Sequence, residues 1–229
     1  MEYPHNRPYT ADDLVRIITL LRDPVNGCPW DKVQTHTSIR MNFLEEAYEA
    51  VDALDLDDPV LMCEELGDVL MQVAFHTCME QETGRFTWEQ VCDGVCQKLI
   101  ERHPNIFGTQ PGYEGITDWD ALKNKEKGRR TLADDLESVP RAMPALMRAA
   151  KLQKRAARHG AALQGADAAA LADAVENLQT AQPASAQAEQ AVGELLFAAA
   201  NLARQAGVDP EQALQKANEA FCTAAGPVA

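Results

Sequence analysis

The stretch LEEAYEAVDALDLDDPVLMCEELGD, residues 44–68, carries the pattern that decides the fold. A helix advances about 100° per residue, so Glu46 stacks with Glu49 and Glu65 stacks with Asp68, each pair on one face. Between the pairs lies Asp57-Asp58-Pro59, which reads as the end of one helix followed by an N-cap and a proline at the first position of the next. Packed together, the two acidic faces form a carboxylate cage. Such a cage repels itself, and hard divalent cations such as Mg²⁺, which prefer oxygen ligands, relieve the repulsion. A solvated acidic face has the same spacing. The neighbours Leu44, Ala47, Leu66 and Gly67 favour a packed interior.

Outward from this stretch the chain continues as helices. Thr10-Ala-Asp-Asp13 offers an N-cap ahead of Leu14, Ile17, Ile18 and Leu21, and Asp23-Pro24 ends that helix. Ser38 is the expected cap of the second helix, and the third is predicted from Pro59 to about Glu82, just before Gly84. Thr87-Trp-Glu-Gln90 reads as a capping box for a fourth helix, closed by His103-Pro104. A glycine-bearing loop (108–115) and a short helix (119–127) follow. A basic helix over 144–159, with Arg148, Lys151, Lys154, Arg155 and Arg158, leads to Gly160 as its stop. No segment reads as strand, so the fold class is all-α.

The charge balance narrows the partners. A net charge of −14 over 229 residues argues against a sequence-independent duplex binder, which needs clustered Lys and Arg, so no nucleic-acid partner is expected. A small anion remains compatible if a metal and a few local cations invert the field. The sequence contains no apolar run of about 18 residues, and Met-Glu-Tyr-Pro-His lacks a basic-then-apolar leader. No membrane partner and a cytoplasmic location are therefore expected. Cys28, Cys63, Cys78, Cys92, Cys96 and Cys222 form no Cys-x-x-Cys and read as reduced thiols.

The alanine-rich tail reads as a worn copy of the first half. Gly67-Asp-Val-Leu70 aligns with Gly193-Glu-Leu-Leu196, and Thr87-Trp-Glu-Gln90 with Asp209-Pro-Glu-Gln212. Ala191 stands where Glu65 stands in the first copy, and only Glu176 is left of the earlier glutamate cluster. The expected organisation is a catalytic unit over 1–130, a basic helical linker over 131–160 and a degenerate second unit over 161–229.

Several spaced motifs occur in one order: Gly27-Cys-Pro-Trp-Asp31, Gln34-Thr-His36, Leu44-Glu-Glu-Ala-Tyr-Glu49, Glu64-Glu-Leu-Gly-Asp68, Phe75-His76, Lys98-Leu-Ile-Glu-Arg-His-Pro104 and Ser138-Val-Pro-Arg-Ala142. In this order they resemble the MazG nucleoside triphosphate pyrophosphohydrolases, and the likeness spans almost the whole chain. The resemblance implies helical-bundle units completed by dimerisation, here a homodimer. It also implies Mg²⁺-dependent hydrolysis of a nucleoside triphosphate to monophosphate and pyrophosphate, with Mn²⁺ as the alternative ion. Its acidic signature falls on Glu46, Glu49, Glu65 and Asp68, with Glu45 as a further carboxylate, and Glu46 or Glu49 is the candidate base. The family's phosphate-binding Lys and Arg fall on Lys98 and Arg102, whereas the second-unit counterparts are Ala220 and Ala224. House-cleaning of damaged nucleotides is the role the resemblance suggests.

Trp30 and Trp119 are candidate base-stacking platforms, and Lys123 and Lys127 could reach phosphates. His36 and His76 read better as core or supporting hydrogen-bonders than as ligands. A di-iron bundle needs Glu-x-x-His pairs, and none occurs. A Gly-x-Ser-x-Gly elbow and a P-loop are absent as well. The competing reading is a nucleotide-sensing or dimerisation module that binds without turnover.

Overall fold

The computed structural model describes residues 2–104, 106–108, 122 and 126–226. The described residues form nine α-helices and one short 3-10 turn, with no strand. The chain divides into two compact units, residues 1–116 and 117–229. Most of the helix expected over 119–127 lies outside the described residues.

The first unit holds α1 (Ala11–Leu21), the 3-10 turn Asp31–Val33, α2 (His36–Leu56), α3 (Pro59–Glu82) and α4 (Trp88–Arg102). Helix α3 is the centre of this bundle, and α1, α2 and α4 each pack on it. Ile18, Ile39, Ala74, Phe75, Cys78, Met79 and Trp88 make the buried core, flanked by Leu14, Val15 and Cys92. All six cysteines are free thiols, Cys78 alone being buried.

Local signals set the helix ends. Thr10 and Asp13 form a reciprocal capping box at α1, as Thr87 and Gln90 do at α4. Asp57 closes α2 in a left-handed conformation, and Asp58 then caps Val60 and Leu61 with Pro59 at the first helical position. The cap of α2 differs from expectation. Thr35 is the N-cap, and Ser38 sits three residues inside, its hydroxyl oxygen accepting from the Thr35 backbone amide. Ser can play either part of such a box, and the spacing of Thr35 and Ser38 allowed both.

The loop before α2 is fastened by one buried cation. Arg22, 8% exposed, forks onto Glu82 at 2.6 and 2.8 Å and donates to the carbonyls of Asp31 and Gln34. Its guanidinium also lies 5.3 Å from the centroid of Phe75. Gly27 belongs to the same loop. A side-chain carbon there would lie 2.4 Å from the carbonyl oxygens of Leu21 and Asp23, so this turn admits only glycine.

The second unit holds α5 (Leu132–Glu137), α6 (Ala145–Arg158), α7 (Ala168–Thr180), α8 (Ala186–Gln205) and α9 (Pro210–Ala225). Helix α8 packs with α6, α7 and α9, much as α3 packs with α1, α2 and α4. Helices α5 and α6, from the segment read as a linker over 131–160, pack inside this unit. Its core is made of small residues: Ala166, Ala174, Ala191, Ala198 and Ala200 are each at most 2% exposed. Polar side chains complete it. Gln153 donates to the Phe197 carbonyl, Asn201 donates to the Ala166 carbonyl, and buried Asp135 pairs with Arg155 and His159. No described helix is long and apolar enough to cross a membrane.

Replacing Arg22 with Ala removes two charge-assisted bonds to Glu82 and two to backbone carbonyls. The expected loss is about 2–3 kcal/mol, since bonds to a charged donor contribute most when buried. Urea denaturation checks it: an unchanged midpoint would show that this loop needs no fastening.

A candidate metal centre on two paired helices

Glu46 and Glu49 lie one turn apart on α2, and Glu65 lies on α3, which pairs with α2. One carboxylate oxygen from each comes within 4.8 Å of the other two. Glu46 and Glu65 are half-buried and Glu49 is exposed. Of the five carboxylates expected as ligands, the structure brings these three together. Asp68 and Glu45 stand outside the trio and act on it through their charge.

The electrostatics fit that arrangement. Burial pushes the Glu46 carboxyl above the ordinary range, a Gln72 hydrogen bond partly offsets this, and repulsion from Asp68, Glu49 and Glu45 adds to the rise. Glu65 is also raised, first by desolvation and then by Asp68, Glu64 and Glu46. Among the described residues no ion pair reaches Glu46, Glu49 or Glu65. The donor set is therefore all hard oxygen, crowded and without a cationic partner. It fits a divalent cation that prefers oxygen ligands.

Gln72 is the supporting residue that sequence reasoning missed. It is 7% exposed on α3, one turn beyond Asp68, and its Nε2 donates to Glu46 Oε1 at 3.3 Å. Its own Oε1 is buried without a hydrogen-bond partner. The available signal was a lone polar side chain inside the apolar run Val69-Leu-Met-Gln-Val-Ala-Phe75, at helical spacing from the acids.

The histidines support the fold next to this site. His36 and His76 are stacked with their Nδ1 atoms 2.7 Å apart, and His36 Nε2 meets Glu80 Oε1 at 2.5 Å. Arg85 holds Glu80 from the other side. Burial, then the facing His36, lowers His76 below the usual histidine range. These contacts account for both rings by hydrogen bonding and packing.

The remaining candidates are less gathered. Lys98 and Arg102 lie one turn apart at the end of α4, Lys98 exposed and Arg102 half-buried. No hydrogen bond or ion pair joins Lys98 to the acidic trio. Trp30, 56% exposed, immediately precedes the 3-10 turn. Trp119 and Lys123 lie outside the described residues. In the second unit, Ala191, read from the sequence as the counterpart of Glu65, is buried, and exposed Glu194 accepts from Gln190 on its own helix.

An all-α unit with a crowded cluster of hard oxygen donors offers the donor set that divalent-metal sites handling anionic substrates use. Comparison with known proteins narrows the class. A model of the MazG nucleotide pyrophosphohydrolase domain matches residues 34–107, which include all three clustered glutamates. The chain is 41% identical over 221 residues to the nucleoside triphosphate pyrophosphohydrolase of Escherichia coli K12, covering 92% of this chain and 83% of that protein. It is 39% identical over 212 residues to the nucleoside triphosphate pyrophosphohydrolase/pyrophosphatase MazG of Thermotoga maritima, covering 92% and 82%. The chain belongs to the MazG nucleotide pyrophosphohydrolase family.

Raised carboxyls have a definite sign in linkage. A folded value above the unfolded 4.5 means that the folded state holds more protons there, so without metal this site loses stability as pH rises through that window. A divalent cation binds the deprotonated form and reverses the loss. Melting curves at neutral pH are expected to shift upward with Mg²⁺ in the wild type and much less in Glu46→Gln, the shift fading as pH falls through the raised values. Equal shifts in both proteins would remove Glu46 from the site.

Proposed function

We propose that the first unit hydrolyses nucleoside triphosphates to the monophosphate and pyrophosphate, using a divalent cation, with Mg²⁺ as the resident ion. The observation that carries this reading is the clustering of Glu46, Glu49 and Glu65 within the segment matched to the MazG domain. The names of the two relatives, both nucleoside triphosphate pyrophosphohydrolases, support the reaction class.

Glu46 and Glu65, with Asp68 and Glu45 adding negative charge, would hold the cation. When bound, the ion supplies positive charge to the triphosphate oxygens as charge builds during attack. The chain's own part is positioning and proton transfer. Gln72 holds one oxygen of Glu46, which suits a fixed ligand. Among the described residues Glu49 has no hydrogen bond and it is the most open of the three, so we assign it as the base that takes a proton from the attacking water. The water oxygen bonds to the α-phosphorus while the bond from that phosphorus to the bridging oxygen breaks, and pyrophosphate departs. Lys98 and Arg102, one turn apart at the end of α4, would meet the leaving phosphates, Arg102 through its planar fork. Exposed Trp30 is the stacking platform for the base.

The substrate range includes damaged as well as standard nucleotides, because a stacking surface and phosphate contacts read no base edge. The site is completed in a homodimer. Leu66 and Leu70 on α3 and Val95 and Leu99 on α4 are each at least 40% exposed, an apolar surface beside the acids that a second copy would cover. Sedimentation equilibrium is expected to give twice the chain mass, and Leu66→Glu/Leu70→Glu to give the single chain. A wild-type monomer at micromolar concentration contradicts the dimer.

Pyrophosphate release over a panel of ribo-, deoxy- and oxidised nucleotides tests the reaction. Glu49→Gln is expected to lower kcat by roughly 10²- to 10⁴-fold, the usual contribution of a positioned base. Glu194→Gln is expected to leave it unchanged. Nucleotide binding by the wild type with no pyrophosphate from any substrate would favour a sensing module.

A further inference from the structure

Helix α6 is an anomaly in an acidic chain. It carries Arg148, Lys151, Lys154, Arg155 and Arg158 and no acid, in a protein whose net charge is −14. Packing does not require this. Helix α1, which packs on α3 as α6 packs on α8, has Asp12 and Asp13 against Arg16 alone. Arg155 has a structural task, since it is buried and pairs with Asp135 and Ser138. Lys151 and Lys154 have none: among the described residues neither makes an ion pair or hydrogen bond.

These two lysines line a cleft of about 480 Å³ inside the second unit. One wall is the α6 face with Met143, Met147, Lys151 and Lys154. The other is the end of α8 and the turn into α9, with Arg204 and Val208. Arg204 uses Nε on Asn201, which orients its guanidinium without neutralising it. Asp209 is the acid on that wall, and its Oδ1 is engaged by the Glu211 and Gln212 amides as the α9 cap. The cleft therefore combines three cations free of acid partners with thioether and aliphatic surface. Its volume lies in the range of small-ligand sites.

We propose that this cleft binds a nucleoside triphosphate without a metal ion. Lys151, Lys154 and Arg204 meet the phosphate chain, each as a charged donor. Met143, Met147 and Val208 take the base, thioether sulfur being a good neighbour for aromatic rings. Metal is unnecessary because the cations supply the neutralising charge directly, and among the described residues the second unit gathers no acidic cluster like that of the first. The site uses none of the residues of the glutamate cluster and does not depend on the reaction proposed for it.

Titration calorimetry on the full chain in excess EDTA, with an α,β-methylene triphosphate analogue, tests this while the metal-dependent site is silenced. One site per chain is expected. Lys151→Glu/Lys154→Glu is expected to weaken binding by at least about tenfold, as for paired charge reversals at a polyanion site. Glu49→Gln is expected to bind as wild type. Pyrophosphate alone and the unphosphorylated nucleoside are each expected to bind at least about tenfold more weakly, since each lacks half of the contacts. Lys151→Gln/Lys154→Gln serves if the reversed pair fails to fold by circular dichroism. No binding in EDTA, unaltered affinity in the lysine variants, loss of binding in Glu49→Gln, or pyrophosphate binding as tightly as the analogue would each overturn the proposal.

Discussion

Mutual repulsion among Glu46, Glu49 and Glu65, whose oxygens lie within 4.8 Å of one another, is the constraint on which the first unit is organised. Like charges at that separation stay together only where the backbone holds them and something neutralises them. The backbone part is visible. Asp57 turns the chain in a left-handed conformation and Asp58-Pro59 starts α3 at once, so α2 and α3 must run side by side. The acids then occupy the surface of a paired hairpin whose far end is the buried core around Phe75 and Met79. Site and core share α3, and for that reason the helix carries both charged and apolar turns.

The rest of the unit fixes that hairpin against the loop ahead of it. Arg22 bonds Glu82 at the end of α3 and the carbonyls of Asp31, which opens the 3-10 turn, and Gln34, which follows it, and so places the Trp30 loop relative to α3. His36, at the first turn of α2, reaches His76 and Glu80 on α3. Arg85 completes the set from beyond the helix end. These polar contacts tie both ends of α2 to α3, one through the turn and one through side chains.

Much of this was legible because it is local. Asp58-Pro59 and the Thr87–Gln90 box state a helix start within four residues, and Gly84 follows the Thr83 cap at the end of α3. Thr35 and Ser38 were harder, since either can cap, and only the backbone angles separate them. At the site, spacing gave the faces but not the distances. Glu46, Glu49 and Glu65 converge, whereas Asp68, on the same face as Glu65, lies outside that cluster, because side-chain length and rotamer decide which oxygens meet. The Gln72 bond to Glu46 and the Arg22 bonds to Glu82 join residues 26 and 60 positions apart, a separation that no periodicity encodes. The cationic α6 was plain in the sequence, but its cleft needed the turn at Gly207 to bring Arg204 and Val208 opposite it.

In each unit one helix, α3 or α8, packs against three others. In the first, half-buried acids face one another across paired helices; in the second, the paired helices close on alanines such as Ala174, Ala191 and Ala198. The most direct measurement of that contrast is an anomalous-difference map from crystals soaked in Mn²⁺. The expected result is density among Glu46, Glu49 and Glu65 in every chain and none in the second unit. Density confined to the second unit, or no peak at these three glutamates, would contradict a metal centre built by α2 and α3.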